Sequence, residues 1–276
     1  MENNSIYSYS KLTCFEQCEL QYFKRYILKE EQRDSVYGLA GTSTHEAVES
    51  VQSGKFTNEE ALEKWRKEMD FYSFLGYDFT TKKTELNFVN SIEHFIKNYR
   101  SISGDVEIEK EFMFDVDGHK LRGFIDLLVH NDDGTVSIID LKTSSKYSKR
   151  DLDKHARQLV IYAMAMEQQG FEVRDISWNM MKYCVVNGKR GKKVILRSEL
   201  EKGMEFEDYI VSYPLDEKTK EDTKKWIVNT IEEIESKDDL FDEWKTCEGN
   251  DFYCSNLCGF CDTCEKGMEI RKRYRK

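Results

Sequence analysis

A chain of 276 residues has room for one large or two small domains and for a sizeable buried core. Its single proline, Pro214, and the lack of any Gly/Ser-rich run, solenoid-spaced repeat or long apolar stretch exclude a flexible linker, a repeat array and a membrane span. The net charge of -10 excludes a uniformly basic surface, and Met1-Glu2-Asn3-Asn4 lacks the basic and apolar regions of a secretory signal, so a single cytoplasmic domain over residues 1–276 is expected.

The first predicted element is a Ser-capped helix from Ser10 to about Leu28, with Leu12, Phe15, Tyr22 and Tyr26 as its apolar stripe and Cys14 and Cys18 along it. A second helix is predicted from Thr42 to Gln52. It opens with Gly41-Thr42-Ser43-Thr44-His45-Glu46, where His45 is either a metal-ligating imidazole or a core histidine. Helices at about Asn58 to Tyr72 and Lys82 to Arg100, with Gly76 between them, form a helical insertion over residues 54–104. A strand follows from Val106 to Val116, with Val106 and Ile108 on one face and Glu107 and Glu109 on the other.

Segments Leu121 to His130 and Thr135 to Thr143 flank Asp132-Asp133-Gly134, which predicts a hairpin with Gly134 at a positive φ. That register sets Asn131 against Thr135 and Asp126 against Asp140. Two carboxylates opposed on one sheet face repel, and a divalent cation between them removes the repulsion. Residues two apart on a strand share a face, so Lys142 stands beside Asp140. Two acids and an amine in this arrangement suit metal-dependent cleavage of a phosphodiester. A helix from Leu152 to Gln169 brings Gln158 and Tyr162 to one face, where they can hold a phosphate or orient Lys142.

Strands at Ile176 to Val186 and around Lys193 to Arg197 enclose a basic stretch, and a hairpin tip there would present Lys189, Arg190, Lys192 and Lys193 to DNA. The last helix, Lys220 to Glu235, buries Trp226, Ile227, Ile231 and Ile234. A second basic run, from Arg271 to Lys276, ends the chain. The pattern is that of an α/β (α+β) fold with helices packed on a mixed sheet.

Of eight cysteines, five lie at positions 247, 254, 258, 261 and 264, a crowding that suits Zn²⁺ or an iron-sulfur cluster better than disulfides. Cys254, Cys258 and Cys264, or Cys258, Cys261 and Cys264, give three ligands. Cys18 is a candidate fourth, so that the region 247–266 would clasp the N-terminal helix; a zinc knuckle built only from the C-terminal thiols is the alternative.

Taken together these motifs resemble the PD-(D/E)xK superfamily, and within it the RecB-like exonuclease branch that includes CRISPR-associated adaptation nucleases and AddB-type helicase-nuclease subunits. The resemblance rests on Tyr7-Ser8-Tyr9-Ser10-Lys11-Leu12 with Phe15, Cys18 and Tyr22, on Gly41-x3-His45, Gly123-x2-Asp126, Asp140-x-Lys142 and Gln158-x3-Tyr162, and on the terminal cysteines. It implies a restriction-endonuclease-like core and a DNA exonuclease in which His45, Asp126, Asp140 and the Leu141 carbonyl hold Mg²⁺ or Mn²⁺ and Lys142 assists. It also implies a four-iron four-sulfur (4Fe-4S) cluster on Cys18, Cys254, Cys258 and Cys264, with Cys261 as an alternate ligand and Zn²⁺ as the alternate metal. The spacing departs from the branch's C-x2-C-x5-C by one residue between Cys254 and Cys258. No Gly-x4-Gly-Lys-Ser/Thr phosphate loop occurs, so a fused helicase is excluded and a helicase, recombination or CRISPR adaptation partner would have to supply unwinding. A structure-selective nicking endonuclease and a non-catalytic DNA-binding scaffold are the competing readings.

Overall fold

A computed structural model describes residues 5–189, 191–237, 244–247 and 251–274. In chain order the elements are β1 (Ile6–Tyr7), α1 (Tyr9–Gln17), α2 (Glu19–Tyr22), α3 (Val36–Gln52), α4 (Asn58–Phe74), α5 (Lys82–Asn98), β2 (Asp105–Val116), β3 (His119–His130) and β4 (Val136–Lys142). They continue with α6 (Leu152–Gln168), β5 (Val173–Gly188), β6 (Gly191–Leu196), β7 (Phe206–Tyr213), α7 (Glu217–Glu235), α8 (Asp251–Asn256) and α9 (Glu265–Tyr274). Two compact units divide the chain, one of Met1–Gly38, Met113–Gly123 and Glu221–Lys276, the other of Leu39–Phe112 and Phe124–Lys220.

In the first unit the expected helix from Ser10 to Leu28 is broken. Ser8, not Ser10, caps α1, its hydroxyl accepting from the Lys11 N–H at 3.1 Å. Cys18 then takes extended backbone angles (φ -163, ψ 106), and a π-helical turn, Phe23–Ile27, follows α2. The break exposes main-chain groups that a partner segment satisfies, the Leu20 N–H donating to the Lys245 carbonyl at 3.0 Å. Trp244 from that segment stacks on Phe23 with ring centroids 4.8 Å apart. β1 runs parallel to the start of β3, Ile6 opposite Lys120 and Tyr7 opposite Leu121.

The second unit carries the mixed sheet of an α/β fold. β3 and β4 are antiparallel, β4 and β5 parallel, and β6 and β7 each antiparallel to β5. Gly134 has φ 85, and the Asn131 N–H donates to the Thr135 carbonyl at 2.9 Å, as the hairpin reading requires. Residues of β5 that pair with β4 or with β6 also pair with β7, so β4 and β6 occupy successive stretches of one edge of β5. The edge passes from β4 to β6 just beyond Lys142. Helices α3, α4 and α5 cover one face through a core of Val48, Val51, Trp65, Ile92 and Phe95 on Leu127, Leu141 and Met181. Side-chain alternation then sends Asp140 and Lys142 to the other face, where α6 lies. β7, half of whose residues are exposed and which carries acids among its apolar residues, was not expected from the sequence.

Candidate active site

The β3–β4 register positions the acids. Leu127 lies opposite Ile139, so Asp126 and Asp140, each one residue nearer the open end of its strand, stand across from one another on the α6 face. Both are buried, at 8% and 1% exposure. Asp126 Oδ2 accepts the Leu141 N–H at 2.6 Å, which fixes its carboxylate. Burial, reinforced by the Asp140 charge, pushes the Asp126 carboxyl well above its ordinary range, against the opposing pull of Lys142.

His45 reaches the same point from α3, with Nδ1 3.7 Å from Asp126 Oδ2. Burial holds the imidazole below its usual pKa, and Lys142 adds to this against Asp140 and a hydrogen bond to the Leu141 carbonyl. The ring is therefore neutral near pH 7, the form that ligates metals. Glu109, which the strand alternation sets opposite Val106 and Ile108 without giving it a role, completes the group: donor atoms of His45, Glu109 and Asp126 lie within 4.8 Å of one another. Glu109 sits on β2 with φ 48, a left-handed conformation uncommon outside glycine. Glu49, one helical turn after His45, hydrogen-bonds to the Glu109 side chain.

Lys142 Nζ lies 2.7 Å from Asp140 Oδ2 and donates to Gln158 Oε1 at 2.9 Å. Gln158 Nε2 in turn donates to Tyr162 Oη at 2.7 Å. Burial works against the Lys142 ammonium, but Asp140, Tyr147 and Asp126 outweigh it and hold the pKa above its ordinary value, so the lysine is a fixed cation. The structure thus brings His45, Asp126, Asp140, Lys142, Gln158 and Tyr162 together. Asp140 lies outside the group of closely spaced donors, facing the ammonium instead.

A family model for the PD-(D/E)XK nuclease superfamily matches residues 6–265. The chain belongs to this superfamily. A crystal structure of a "Putative exonuclease" from Eubacterium rectale superposes with a TM-score of 0.50 at 16% identity, covering 95% of this chain and 88% of that one, and shares the fold. A second, SSO0001, reaches a TM-score of 0.33 at 18% identity over 90% of this chain and 94% of its own, too loose a superposition to bear on the argument. No curated protein matches the sequence.

Superfamily nucleases use divalent cations, and the donor set here fits one. Two carboxylates and a neutral imidazole converge, while Asp140 Oδ2 is buried with no well-aligned hydrogen bond, only the charge of Lys142 beside it. Such crowding of anions is what a cation relieves. No helix among the described residues is long and apolar enough to cross a membrane.

Seven of the eight cysteines lie in the first unit, where Cys18, Cys247 and Cys254 form a buried cluster with Ile270; Cys184 lies on β5 in the second. The Cys258 thiol interacts electrostatically with Cys18, Cys261 and Cys264. Burial pushes Cys14 up to about 12 and Cys258 up to about 11, so a metal would have to displace their protons. Among the described residues no three thiols approach as closely as the donors around His45 do. Cys247 is the thiol that the family spacing overlooks.

Of the hairpin cations, Lys189, Lys192 and Lys193 are exposed at the turn between β5 and β6, and Lys192 pairs with Glu207 at 2.6 Å. Arg190 falls outside the described residues, as do Arg275 and Lys276 of the basic tail.

Proposed function

We propose that this chain is a Mg²⁺- or Mn²⁺-dependent DNA exonuclease of the RecB-like branch. The convergence of His45, Glu109 and Asp126 beside the Asp140–Lys142 pair supports this reading above all else. His45, Asp126 and Glu109, with Asp140 and the Leu141 carbonyl adjacent, would hold the cation, and the imidazole favours Mn²⁺ over Mg²⁺. The metal supplies Lewis-acid stabilisation of charge on the scissile phosphate. Lys142 orients the attacking water and stabilises the charge gathering on the phosphoryl oxygens. Gln158, fastened by Tyr162, keeps the ammonium aimed along one direction. DNA is the substrate in this reading, and unwinding falls to a partner such as a helicase or a recombination or CRISPR adaptation protein.

The same reading gives Cys18, Cys254, Cys258 and Cys264 a structural 4Fe-4S cluster, with Cys261 or Cys247 as an alternate ligand and Zn²⁺ as the alternate metal. What favours it is the mutual proximity of these thiols in the unit that joins the two chain ends. Anaerobic purification with an absorption spectrum and iron and zinc analysis tests it.

Digestion of linear and covalently closed DNA, single- and double-stranded, with Mn²⁺ or Mg²⁺ tests the catalytic reading. An exonuclease degrades linear DNA and spares closed circles. Cutting of closed circles turns the assignment to an endonuclease, and no cutting of any substrate turns it to a DNA-binding scaffold.

A further inference from the structure

The segment that follows Lys142, Thr143-Ser144-Ser145-Lys146-Tyr147-Ser148-Lys149-Arg150, begins at one active-site residue and leads into α6, which carries another, Gln158. It is held at its centre. The Tyr147 ring stacks on His155 with centroids 3.9 Å apart and meets Trp178 edge-on at 5.1 Å. Its end is closed by Ser148, whose hydroxyl donates to Asp151 Oδ2 at 2.6 Å while the Asp151 N–H returns to the Ser148 carbonyl at 3.1 Å.

Fixed this way, the loop projects Lys146, Lys149 and Arg150 into solvent, all three exposed. Among the described residues none of the three has a carboxylate within ion-pair distance; Lys146 lies over the Tyr183 ring at 5.7 Å. Between Lys142 and Arg157 stand six cations, Lys142, Lys146, Lys149, Arg150, Lys154 and Arg157, against two acids, Asp151 and Asp153. Both acids have local partners, Ser148 and the Tyr213 hydroxyl. On a chain of net charge -10 this is a local reversal of sign at the mouth of the site.

The hairpin chosen from sequence is a poorer phosphate tracker. Its tip is eight residues further along β5 than Met180, the residue opposite Lys142, which is roughly 26 Å at strand rise. The acids of β7 also run beside it, Glu207 taking up Lys192.

We infer that the loop 143–150 is the surface that grips the DNA backbone next to the bond being cut, with Lys146, Lys149 and Arg150 contacting successive phosphates. The inference rests on the nuclease reading and adds to it where the strand lies. Phosphate contacts release counterions, so each one contributes about 0.7 to the salt slope of single-strand binding. Losing three lowers the slope by about 2.

The test is fluorescence anisotropy of the full-length protein with labelled single-stranded DNA across a salt series, under chelator so that nothing is cut. A Lys146→Gln/Lys149→Gln/Arg150→Gln triple is compared with Lys189→Gln/Lys192→Gln/Lys193→Gln. The loop triple is expected to bind at least tenfold more weakly, with the reduced slope, and the hairpin triple to stay near wild type. Should the loop triple misfold by circular dichroism, Lys149→Gln alone is expected to lower the slope by about 0.7. An unchanged slope in the loop variant, or an equal loss in the hairpin variant, overturns the inference while leaving a nuclease that still digests DNA. Wild-type protein that neither binds nor cuts DNA removes the nuclease reading with it.

Discussion

Glu49 and Glu109 meet carboxyl to carboxyl, joined by a side-chain hydrogen bond, which two such groups make only when one carries a proton. Burial, with the Glu109 charge and hydrogen bond behind it, raises Glu49 from 4.5 to about 7. A carboxyl raised in the folded state binds more protons there than in the unfolded chain, so stability falls as pH climbs through that interval. In chelator, stability is expected to fall between pH 4.5 and 7 as this pair loses its shared proton. Glu49→Gln, which keeps a donor for Glu109 but cannot ionise, should flatten that part of the profile. Urea denaturation at stepped pH measures it, and an equally steep profile in the variant would show the pair to be unimportant.

Strand alternation gives Glu109 no role of its own, and its proximity to His45 and Asp126 supplies one. Glu109→Ala should weaken Mn²⁺ binding beyond the 10- to 100-fold that loss of an outer-shell partner usually causes. Glu107→Ala, whose residue pairs with Lys110 and His130, should leave it unchanged. Calorimetric titration of metal into the two proteins separates them.

The uneven legibility of this region has a physical basis. Alternation along β3 and β4, and the need for glycine at a positive φ in the turn, put Asp126, Asp140 and Lys142 on one face from letters alone. The Gln158–Tyr162 contact follows from helical spacing in the same way. Glu107, Glu109 and Glu111 alternate identically, so nothing in the chain order singles out Glu109; its left-handed backbone and its distance from α3 are tertiary facts. The broken first helix was hidden for a related reason. The extended backbone at Cys18 is supported from more than two hundred positions away, where the Lys245 carbonyl accepts the Leu20 N–H. The basic loop 143–150 is less conspicuous in the letters than the acid-free hairpin run, because the property that sets it apart, nearness to Lys142, is spatial.

Lys142 neutralises Asp140 in a buried setting, and removing one member of such a pair commonly costs about 3 to 5 kcal/mol. Lys142→Ala is therefore expected to abolish cleavage and also to lower the melting temperature, with Mn²⁺ restoring part of the stability by supplying positive charge. Gln158→Ala leaves the charges in place and removes only the donor's second anchor. Its expected effect is a 10- to 100-fold fall in kcat with metal affinity unchanged, the scale on which supporting hydrogen bonds act. Single-turnover digestion at saturating metal reads that difference, and wild-type kcat in Gln158→Ala would mean that Asp140 alone holds the ammonium.

Two helical glycines answer oppositely to the same substitution. A Cβ at Gly267 in α9 would stand 2.6 Å from the Cys261 carbonyl oxygen and 2.8 Å from its Cα, main-chain atoms that cannot swing aside. Gly259 is as tightly confined, 2.8 Å from the Arg33 carbonyl oxygen, and its own carbonyl accepts the Arg33 N–H at 3.0 Å. At Gly38 in α3 the nearest atom is the Ser35 hydroxyl at 3.6 Å, ordinary contact. Gly267→Ala should destabilise by about 1 to 3 kcal/mol through overpacking. It should also lower any iron or zinc content, because Cys261 and Cys264 are displaced together. Gly38→Ala should gain up to about 1 kcal/mol from helix propensity. Melting temperatures and metal analysis of the two proteins decide the matter: a Gly267→Ala variant as stable and as metal-loaded as wild type would show that the cysteine segment is not packed against α9 as described.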